Sequence, residues 1–382
     1  MPIVEVIETP AHLRSLRAEW DELLSESDND LPFLLPEWMD AWWDHWRHEG
    51  RVHDRLAARV VRSGGRAIAL VPLMATRRGV GPLGTTELSL LGADPYITEL
   101  RTPVVRRGHE EEAARALAAH LLEAPGWDWI HWTGLVRGGA FASALERAMP
   151  MEWTTELSAH VLPLAPTWDA FRAGLKRNIK ESLRHCTNSL KRDGHAARLE
   201  VARTPAEVAA ALPTFFALHT LRSQAKDAAP HPDRFAPPKA RRFLEDVTAR
   251  LAERGHACVF VLKVGDAAVA ARVGFVLPRG LYLYFSGFDP AWSKYSVATT
   301  IVAESIRWAI GEKLEWVHLS TGTDVSKLRW GPRETIFRDA VTVAPHPWSR
   351  AAHATSRALR HARRDPRFAA VVHALAPVRT HD

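Results

Sequence analysis

The sequence contains very little cysteine and no long apolar run. Only Cys186 and Cys258 occur among 382 residues, which excludes a disulfide framework and offers no paired-Cys spacing for zinc. Nowhere do about 18 apolar residues follow one another, as a membrane-spanning helix requires. The first residues, MPIVEVIETPAHL, have no cationic start before an apolar stretch, so they do not resemble a secretory signal. We therefore expect a cytoplasmic protein without a membrane span.

Motifs of several enzyme classes are also absent. The sequence has no Gly-x-Ser-x-Gly, no Walker loop, no His-Glu-x-x-His and no dinucleotide fingerprint. His45, His48 and His53 are close in sequence, but they lack a third soft ligand and a carboxylate partner. We expect them to border a Trp-rich helix that packs between lobes, and we predict no metal cofactor.

Two segments carry the basic charge of the chain, whose formal net charge is +6. Residues 172–198 have eight Lys or Arg against two acidic residues, and residues 344–382 have seven Arg against two Asp. Such segments can meet the phosphates of a cofactor, a nucleotide or an RNA. They are equally typical of solvated helix faces, so both interpretations remain open.

An internal repeat relates the two halves of the chain. The segment GWDWIHWTG ending at Gly134 resembles KLEWVHLSTG ending at Gly322. Upstream of each segment, Gly-rich turns between apolar runs predict a β-hairpin, around Gly64 in the first half and around Gly265 in the second. Helices are predicted before each hairpin and before each Trp-His strand.

This order of elements predicts a mixed α/β fold built from two lobes, each a mostly antiparallel sheet flanked by helices. A prior of roughly 150 residues per domain agrees with two lobes. We place an N-terminal lobe at residues 1–160 and a C-terminal, catalytic lobe at residues 161–343. Residues 344–382 form a basic Ala/Arg-rich tail. The oligomeric state is not predicted.

The second half resembles a known enzyme superfamily over residues 164–343. The segments LYLYFSGFDPAWSKYSVATTIVAESIRWAIGEKLEWVHLSTGTDVSKLRWG, FFALHTLRSQAKD and KRNIKESLRHCTNSLKRDG are similar to the CelD-like branch of the GNAT acetyltransferases. They resemble more distantly the Fem-type aminoacyltransferases, which have two GNAT-like domains. The resemblance implies tandem GNAT-like lobes and an acyl-transfer reaction.

The donor site implied by the resemblance lies where a strand leads through a loop into a helix. Free amide groups and the positive end of a helix suit a pyrophosphate. The residues expected to hold it are Lys294, Ser296, Val297, Ala298, Thr299 and Thr300. The loop lacks the glycines of typical GNAT enzymes, so acyl-coenzyme A and aminoacyl-tRNA both remain possible donors. The same hydroxyl residues are also typical of a simple helix cap.

The catalytic residues are expected near the segment STGTDVSKLRWG. It resembles the closing motif of both families through Lys327, Trp330 and Gly331, although Ser326 stands where an aromatic residue is expected. An ammonium group at Lys327 would stabilise the oxyanion that forms when an amine attacks an acyl carbonyl. Asp289 and Asp324 are the candidate bases, and either could instead cap a turn.

The acceptor site is predicted from one arginine and several aromatic residues. Related families carry a substrate-facing arginine where this chain has Arg222. Tyr282 and Tyr284 are expected on the same face of one strand. They could line a cleft together with Trp292, Tyr295 and Trp330. Alternatively, these rings could belong to the core. His219 is expected to be a core histidine.

The predicted function is an N-acyltransferase that uses acyl-coenzyme A and acts on an amine of a small molecule or sugar. The alternatives are an aminoacyl-tRNA-dependent amide-bond-forming enzyme, with tRNA bound through residues 172–198 and 344–382, and a non-catalytic binding protein that has kept the fold. The sequence does not identify the acceptor.

Overall fold

The computed structural model describes residues 2–29, 31–50, 52–79, 81, 84–94, 96–123, 126–225 and 231–364, with side chains to residue 359. The last part of the basic tail, residues 365–382, lies outside the described residues. Where the chain is described, no helix combines the length and the apolar character needed to cross a membrane.

The N-terminal half contains nine strands and five helices in its described parts. The strands are β1 (Ile3–Ile7), β2 (Val52–Leu56), β3 (Ala58–Ser63), β4 (Arg66–Val71), β5 (Leu73–Arg78), β6 (Thr85–Leu90), β7 (Val104–Val105), β8 (Trp129–Val136) and β9 (Glu152–Pro163). The helices are α1 (Pro10–Ser15), α2 (Arg17–Ser25), α3 (Pro36–Trp46), α4 (Glu110–Glu123) and α5 (Ala140–Ala148). Leu16 separates α1 from α2.

The C-terminal half repeats this order. Its strands are β10 (Ala197–Ala202), β11 (Ala257–Val264), β12 (Ala267–Leu277), β13 (Gly280–Phe288), β14 (Trp316–Thr321) and β15 (Arg333–Val343). Its helices are α6 (Trp168–Gly174), α7 (Arg177–Arg192), α8 (Pro205–Ser223), α9 (Pro238–Glu253), α10 (Val297–Gly311), α11 (Val325–Leu328) and α12 (Pro347–Arg364). The start of α8 follows from its sequence, because Thr204 and Glu207 form a capping box.

An eleven-stranded sheet joins the two halves. Its order is β10-β11-β12-β13-β14-β9-β15-β8-β6-β5-β2, and β1-β3-β4-β7 form a second sheet. Two neighbouring pairs of the described strands, β13–β14 and β6–β8, are parallel, and the other pairs are antiparallel. The last strand of each half pairs with the other half: β9 lies beside β14, and β15 lies beside β8. The mixed α/β fold with helix-flanked sheets is therefore confirmed, with an exchange of strands that the sequence did not indicate.

Helices cover both faces of the C-terminal part of the sheet. One face packs against α8, α9 and the Trp-rich α3, whose Trp38 ring lies 5.4 Å from Phe243 and 5.6 Å from Phe275. This confirms the expected packing of a Trp-rich helix between the halves. The other face packs against α7 and α10. Large apolar rings and aliphatic side chains buried between these layers fix the position of every strand around the site described next.

Candidate active site

The candidate active site lies where β13 and β14 stop pairing. The two parallel strands pair only from Gly280 to Tyr282 and from Trp316 to His318, although both continue further. We call this point the fork. Gly287, beyond the fork, lets α8 approach the strand closely, since a Cβ there would lie 2.2 Å from the backbone nitrogen of His219. The fork is thus an opening in the sheet between two helix layers.

Two arginines converge on Ser286, which lies on β13 beyond the fork. Arg222 donates to the Ser286 hydroxyl at 2.8 Å and Arg272 donates to it at 3.1 Å. Burial lowers the pKa of both guanidinium groups, to about 10 for Arg272, whose pKa is lowered further by the charge of Arg222. The Nε atom of Arg272 is buried without a hydrogen-bond partner among the described residues. This corner of the fork is therefore strongly cationic.

Lys327 and Asp324 form an ion pair at the end of β14. The ammonium nitrogen lies 3.2 Å from an Asp324 carboxylate oxygen, and it also donates to the carbonyl oxygen of Thr321. The carboxylate of Asp324 is close enough to Arg222 to influence the pKa of that arginine. The structure therefore brings three predicted residues, Lys327, Asp324 and Arg222, to one end of the fork.

The third predicted carboxylate does not join this group. Asp289 caps the short 3₁₀ helix at Pro290–Tyr295, where its side chain accepts from the amide of Ala291 at 2.9 Å. This is the turn-capping role that the sequence left open. The described contacts do not link Asp289 to Lys327.

The predicted donor-binding residues lie around the first turn of α10. Ser296 precedes the helix with a left-handed backbone (φ 53°), and its carbonyl accepts from the amides of Thr299 and Thr300. In the described part of the chain, the amides of Val297 and Ala298 have no hydrogen-bond acceptor, as is usual for the first turn of a helix. Lys294 points elsewhere, because it is mostly exposed and pairs with Asp193 at 3.5 Å.

Arg329 adds a cation to this helix start. It donates to the hydroxyl of Thr299 at 2.9 Å and to that of Ser182, on α7, at 3.4 Å. Burial lowers its pKa, and no carboxylate of the described residues forms an ion pair with it. We call the amides of Val297 and Ala298 with the guanidinium of Arg329 the anion site.

The predicted aromatic cleft is not assembled in the structure. Tyr284 is buried on the α8–α9 side of the sheet, where its hydroxyl donates to the carbonyl of Ile97 at 2.5 Å. Tyr295 and Trp330 are buried on the opposite side, and Trp292 packs against Tyr295 there. The period-two pattern predicted correctly that Tyr282 and Tyr284 share a face. The five predicted rings nevertheless belong to two separate layers.

Tyr282 connects the fork to the N-terminal half. Its hydroxyl donates to the carboxylate of Glu99 at 2.5 Å, and its ring stacks on His318 at 4.3 Å. Ser320 donates to the same carboxylate at 2.8 Å. Burial raises the pKa of Glu99 and of Tyr282, and it lowers the pKa of His318 to about 3. A carboxylate from the first half therefore lies beside the fork of the second half.

Three residues of this site were missed in the sequence. Arg272 had a signal, because a charge within the apolar strand AAVAARVGFVL is unusual unless it has a partner. Arg329 stood inside the motif KLRWG without a predicted role. Glu99 had no local signal, since only the packing of one half on the other brings it to the fork.

Among the described residues, no group of three or more His, Cys, Asp or Glu side chains could hold a metal ion. His45 pairs with Asp246 at 3.0 Å, and His48 pairs with Asp54 at 2.8 Å. His219 is fully buried, with Nδ1 at 2.9 Å from the carbonyl oxygen of Ser286, which agrees with a core histidine.

Comparisons with known proteins identify the part of the chain that carries this site. Residues 177–328 match the family model described as an acetyltransferase (GNAT) domain, and no curated protein matches the chain. A crystal structure of FemX is 11% identical, with 84% of this chain and 95% of that chain covered, at a TM-score of 0.59.

Two other solved structures are similar. A conserved protein of unknown function from Bacteroides thetaiotaomicron VPI-5482 is 12% identical, covers 90% of this chain and 100% of its own, and has a TM-score of 0.52. A tandem GNAT protein from the clavulanic acid biosynthesis pathway is 12% identical over 90% and 99% of the two chains, with a TM-score of 0.43. Residues 177–328 are therefore similar to an acetyltransferase (GNAT) domain, and the chain shares its fold with FemX.

Proposed function

We propose that the protein transfers an acyl group from acyl-coenzyme A to an amine of a small molecule or sugar, at the fork of the C-terminal half. The observation that carries this proposal is the anion site. It lies at the start of α10, inside the segment that matches an acetyltransferase domain. The predicted similarity of residues 164–343 to CelD-like acetyltransferases supports the same donor.

The anion site suits the pyrophosphate of coenzyme A. Two amide groups at the positive end of a 15-residue helix attract an anion. The guanidinium of Arg329 has no carboxylate partner in the described structure, so a phosphate group would provide its counter-charge. Although the loop lacks glycine, Ser296 adopts a left-handed backbone (φ 53°), the conformation that glycine usually supplies.

The fork supplies groups for the transfer itself. In acyl transfer, the amine nitrogen attacks the thioester carbonyl, and negative charge develops on the carbonyl oxygen. Lys327 is half-buried and lies at the end of β14 beside the fork. A fixed ammonium in such a place stabilises this charge more strongly than it would in water.

Substitution of Arg329 tests the donor assignment. We expect Arg329→Gln to weaken acetyl-coenzyme A binding about tenfold, since a charged hydrogen bond to phosphate contributes on the order of 1.5 kcal/mol. Calorimetric titration measures this affinity. Arg55→Gln, exposed on β2 in the N-terminal half, is the matched control and should bind as the wild type does. Equal binding by Arg329→Gln and the control would contradict the proposed site.

One observation favours aminoacyl-tRNA as a second candidate donor. The outer face of α7, next to the anion site, exposes five basic side chains: Lys176, Arg177, Arg184, Lys191 and Arg192. Binding through such a face falls steeply with salt, because each phosphate contact releases counterions. Transfer from a charged tRNA that ribonuclease abolishes would support this donor. A transfer activity indifferent to ribonuclease would exclude it.

A further inference from the structure

The loop formed by residues 96–103, together with 91–94, lies beside the fork and contacts it through Glu99. The buried carboxylate of Asp94 accepts from the amides of Ile97 and Thr98 at 2.6 and 2.9 Å, and from the indole of Trp42 at 3.1 Å. The carbonyl of Arg101 packs on Gly134, where a Cβ would lie 2.0 Å from that oxygen. These contacts fix the position of Glu99, whose side chain extends from the loop to Tyr282 on β13 and Ser320 on β14.

The same loop closes the equivalent opening in the N-terminal half. There β6 and β8 are parallel and pair only from Glu87 to Ser89 and from Trp129 to His131, which repeats the geometry of β13 and β14. Beyond that pairing, the backbone at Arg101 lies against β8 at Gly134. The first half therefore has no open fork of its own at this place, and its loop instead delivers a carboxylate to the second half.

Glu99 is an acid without a cationic partner. Its oxygens accept from the hydroxyls of Tyr282 and Ser320, both of which are neutral groups. Ser320 is held in a left-handed backbone (φ 68°), an arrangement that costs energy for a residue other than glycine. Over the described chain, no Lys, Arg or His nitrogen lies within ion-pair distance of Glu99. The residue is partly buried.

The charged and titratable groups around Glu99 come from four elements. Tyr282 on β13 donates to it, and His318 on β14 stacks on that tyrosine. Arg272 on β12 and Lys327 on α11 contribute positive charge from further away and oppose the effect of burial on the pKa of Glu99. Burial has the larger effect, so the pKa of Glu99 lies above that of an ordinary glutamate.

We propose that Glu99 binds the ammonium group of the acceptor and accepts its proton, so that the active site is shared between the two halves. This inference rests on the proposed acyl transfer. It assigns the acceptor to the class of protonated primary amines, because an unpaired carboxylate between two hydroxyls offers one charge and several acceptor positions to an ammonium group.

The transfer is balanced with Glu99 as the proton acceptor. The ammonium gives one proton to the carboxylate, and the free amine attacks the carbonyl carbon of the acyl thioester. The carbon–nitrogen bond forms, the carbon–sulfur bond breaks, and the thiolate of coenzyme A leaves. The nitrogen loses a second proton to solvent as the amide forms, and the proton held by Glu99 passes to the thiolate. The products are an amide and free coenzyme A, and the carboxylate is restored.

The pH profiles of Glu99→Gln and Tyr282→Phe test this assignment. With acetyl-coenzyme A and a panel of primary amines, including amino sugars and amino acids, the wild type should lose kcat/KM at acid pH as Glu99 becomes protonated. We call the fall of kcat/KM at acid pH the acid limb. We expect Glu99→Gln to have a kcat/KM at least about 100-fold lower than the wild type and to lack the acid limb. Its affinity for acetyl-coenzyme A should be unchanged. Tyr282→Phe should shift the limb to higher pH, because the lost hydrogen bond stabilises the ionised carboxylate.

The controls separate this inference from the proposed function. Glu152→Gln, on the exposed start of β9, should keep the wild-type profile. If the wild type bound no acetyl-coenzyme A, the acyl transfer and the role of Glu99 would both fall. If it bound acetyl-coenzyme A but acylated none of the amines, transfer to an amine and the role of Glu99 would both be contradicted. If it acylated an amine but Glu99→Gln kept the loss of activity at acid pH, Glu99 alone would be excluded. If Tyr282→Phe left the acid side of the pH profile unshifted, the role of Glu99 would be excluded even if Glu99→Gln did not fold.

Discussion

At the scale of single residues, the site depends on groups whose protonation is set by burial. His318 is 4% exposed, and its Nδ1 accepts from the amide of Ser320 at 3.0 Å. The neutral ring then carries its proton on Nε2. Burial, with the charge of Lys327, lowers the pKa of His318 to about 3. The folded protein therefore resists protonation of this ring, whereas the unfolded chain does not.

The stability of the protein should consequently fall in acid. The pKa of an unfolded histidine is about 6.5. Above that pH, the neutral His318 makes its full contribution to the free energy of unfolding, and this contribution is lost as the pH falls toward 3. By pH 5 the loss is about 2 kcal/mol. Between pH 7 and pH 5, the free energy of unfolding of the wild type should fall by about 2 kcal/mol more than that of His318→Gln. Urea unfolding at the two pH values measures this difference. His53→Gln, exposed on β2, should lose as much as the wild type, and an unchanged loss in His318→Gln would refute this account.

At the scale of elements, the loop of residues 91–94 and 96–103 is positioned by one close contact. Gly134 has a left-handed backbone (φ 64°) and no room for a Cβ against the carbonyl of Arg101. We expect Gly134→Ala to destabilise the protein by about 2 kcal/mol more than Gly138→Ala. Gly138 also has a positive φ (73°), but a Cβ there would meet no other atom. Its substitution therefore costs only the strain of an alanine in the left-handed backbone conformation.

Activity gives the second measurement for these two glycine variants. Because displacement of the loop moves Glu99 away from Tyr282 and Ser320, Gly134→Ala should lower kcat for acyl transfer, and Gly138→Ala should leave it unchanged. Urea unfolding and steady-state kinetics on both proteins give the comparison. Equal stability and equal kcat for the two variants would show that the loop does not position the carboxylate.

Local sequence signals predicted most elements of the fold. The hairpin β11–β12, the capping box of α8 and the helix α7 follow from turn residues, caps and apolar spacing. The cluster of Lys327 with Asp324 lies within a single short motif, so it was also accessible from the sequence. The position of Glu99 was not, because it depends on contacts between residues more than 180 positions apart. The two-layer distribution of the predicted aromatic residues likewise depends on which helices cover each face.

At the scale of the whole molecule, the two halves are joined by their last strands. β9 and β15 are long antiparallel strands that pair with each other and each with the opposite half. The partner of each strand is set by the packing of the two halves and not by its own sequence, which is why the exchange could not be inferred from the sequence. The predicted boundaries at residues 160 and 343 remain a proposal. The exchange has a functional consequence in this account, since it holds the loop of the first half against the fork of the second.

Hydrogen–deuterium exchange with and without acetyl-coenzyme A would locate the donor site. We expect slower exchange at the start of α10, from Val297 to Thr300, and along β13 beyond Tyr282. The equivalent segments of the first half, the start of α4 and the end of β6, should exchange at an unchanged rate. No protection at α10, or protection confined to α4 and β6, would contradict a single donor site in the C-terminal half.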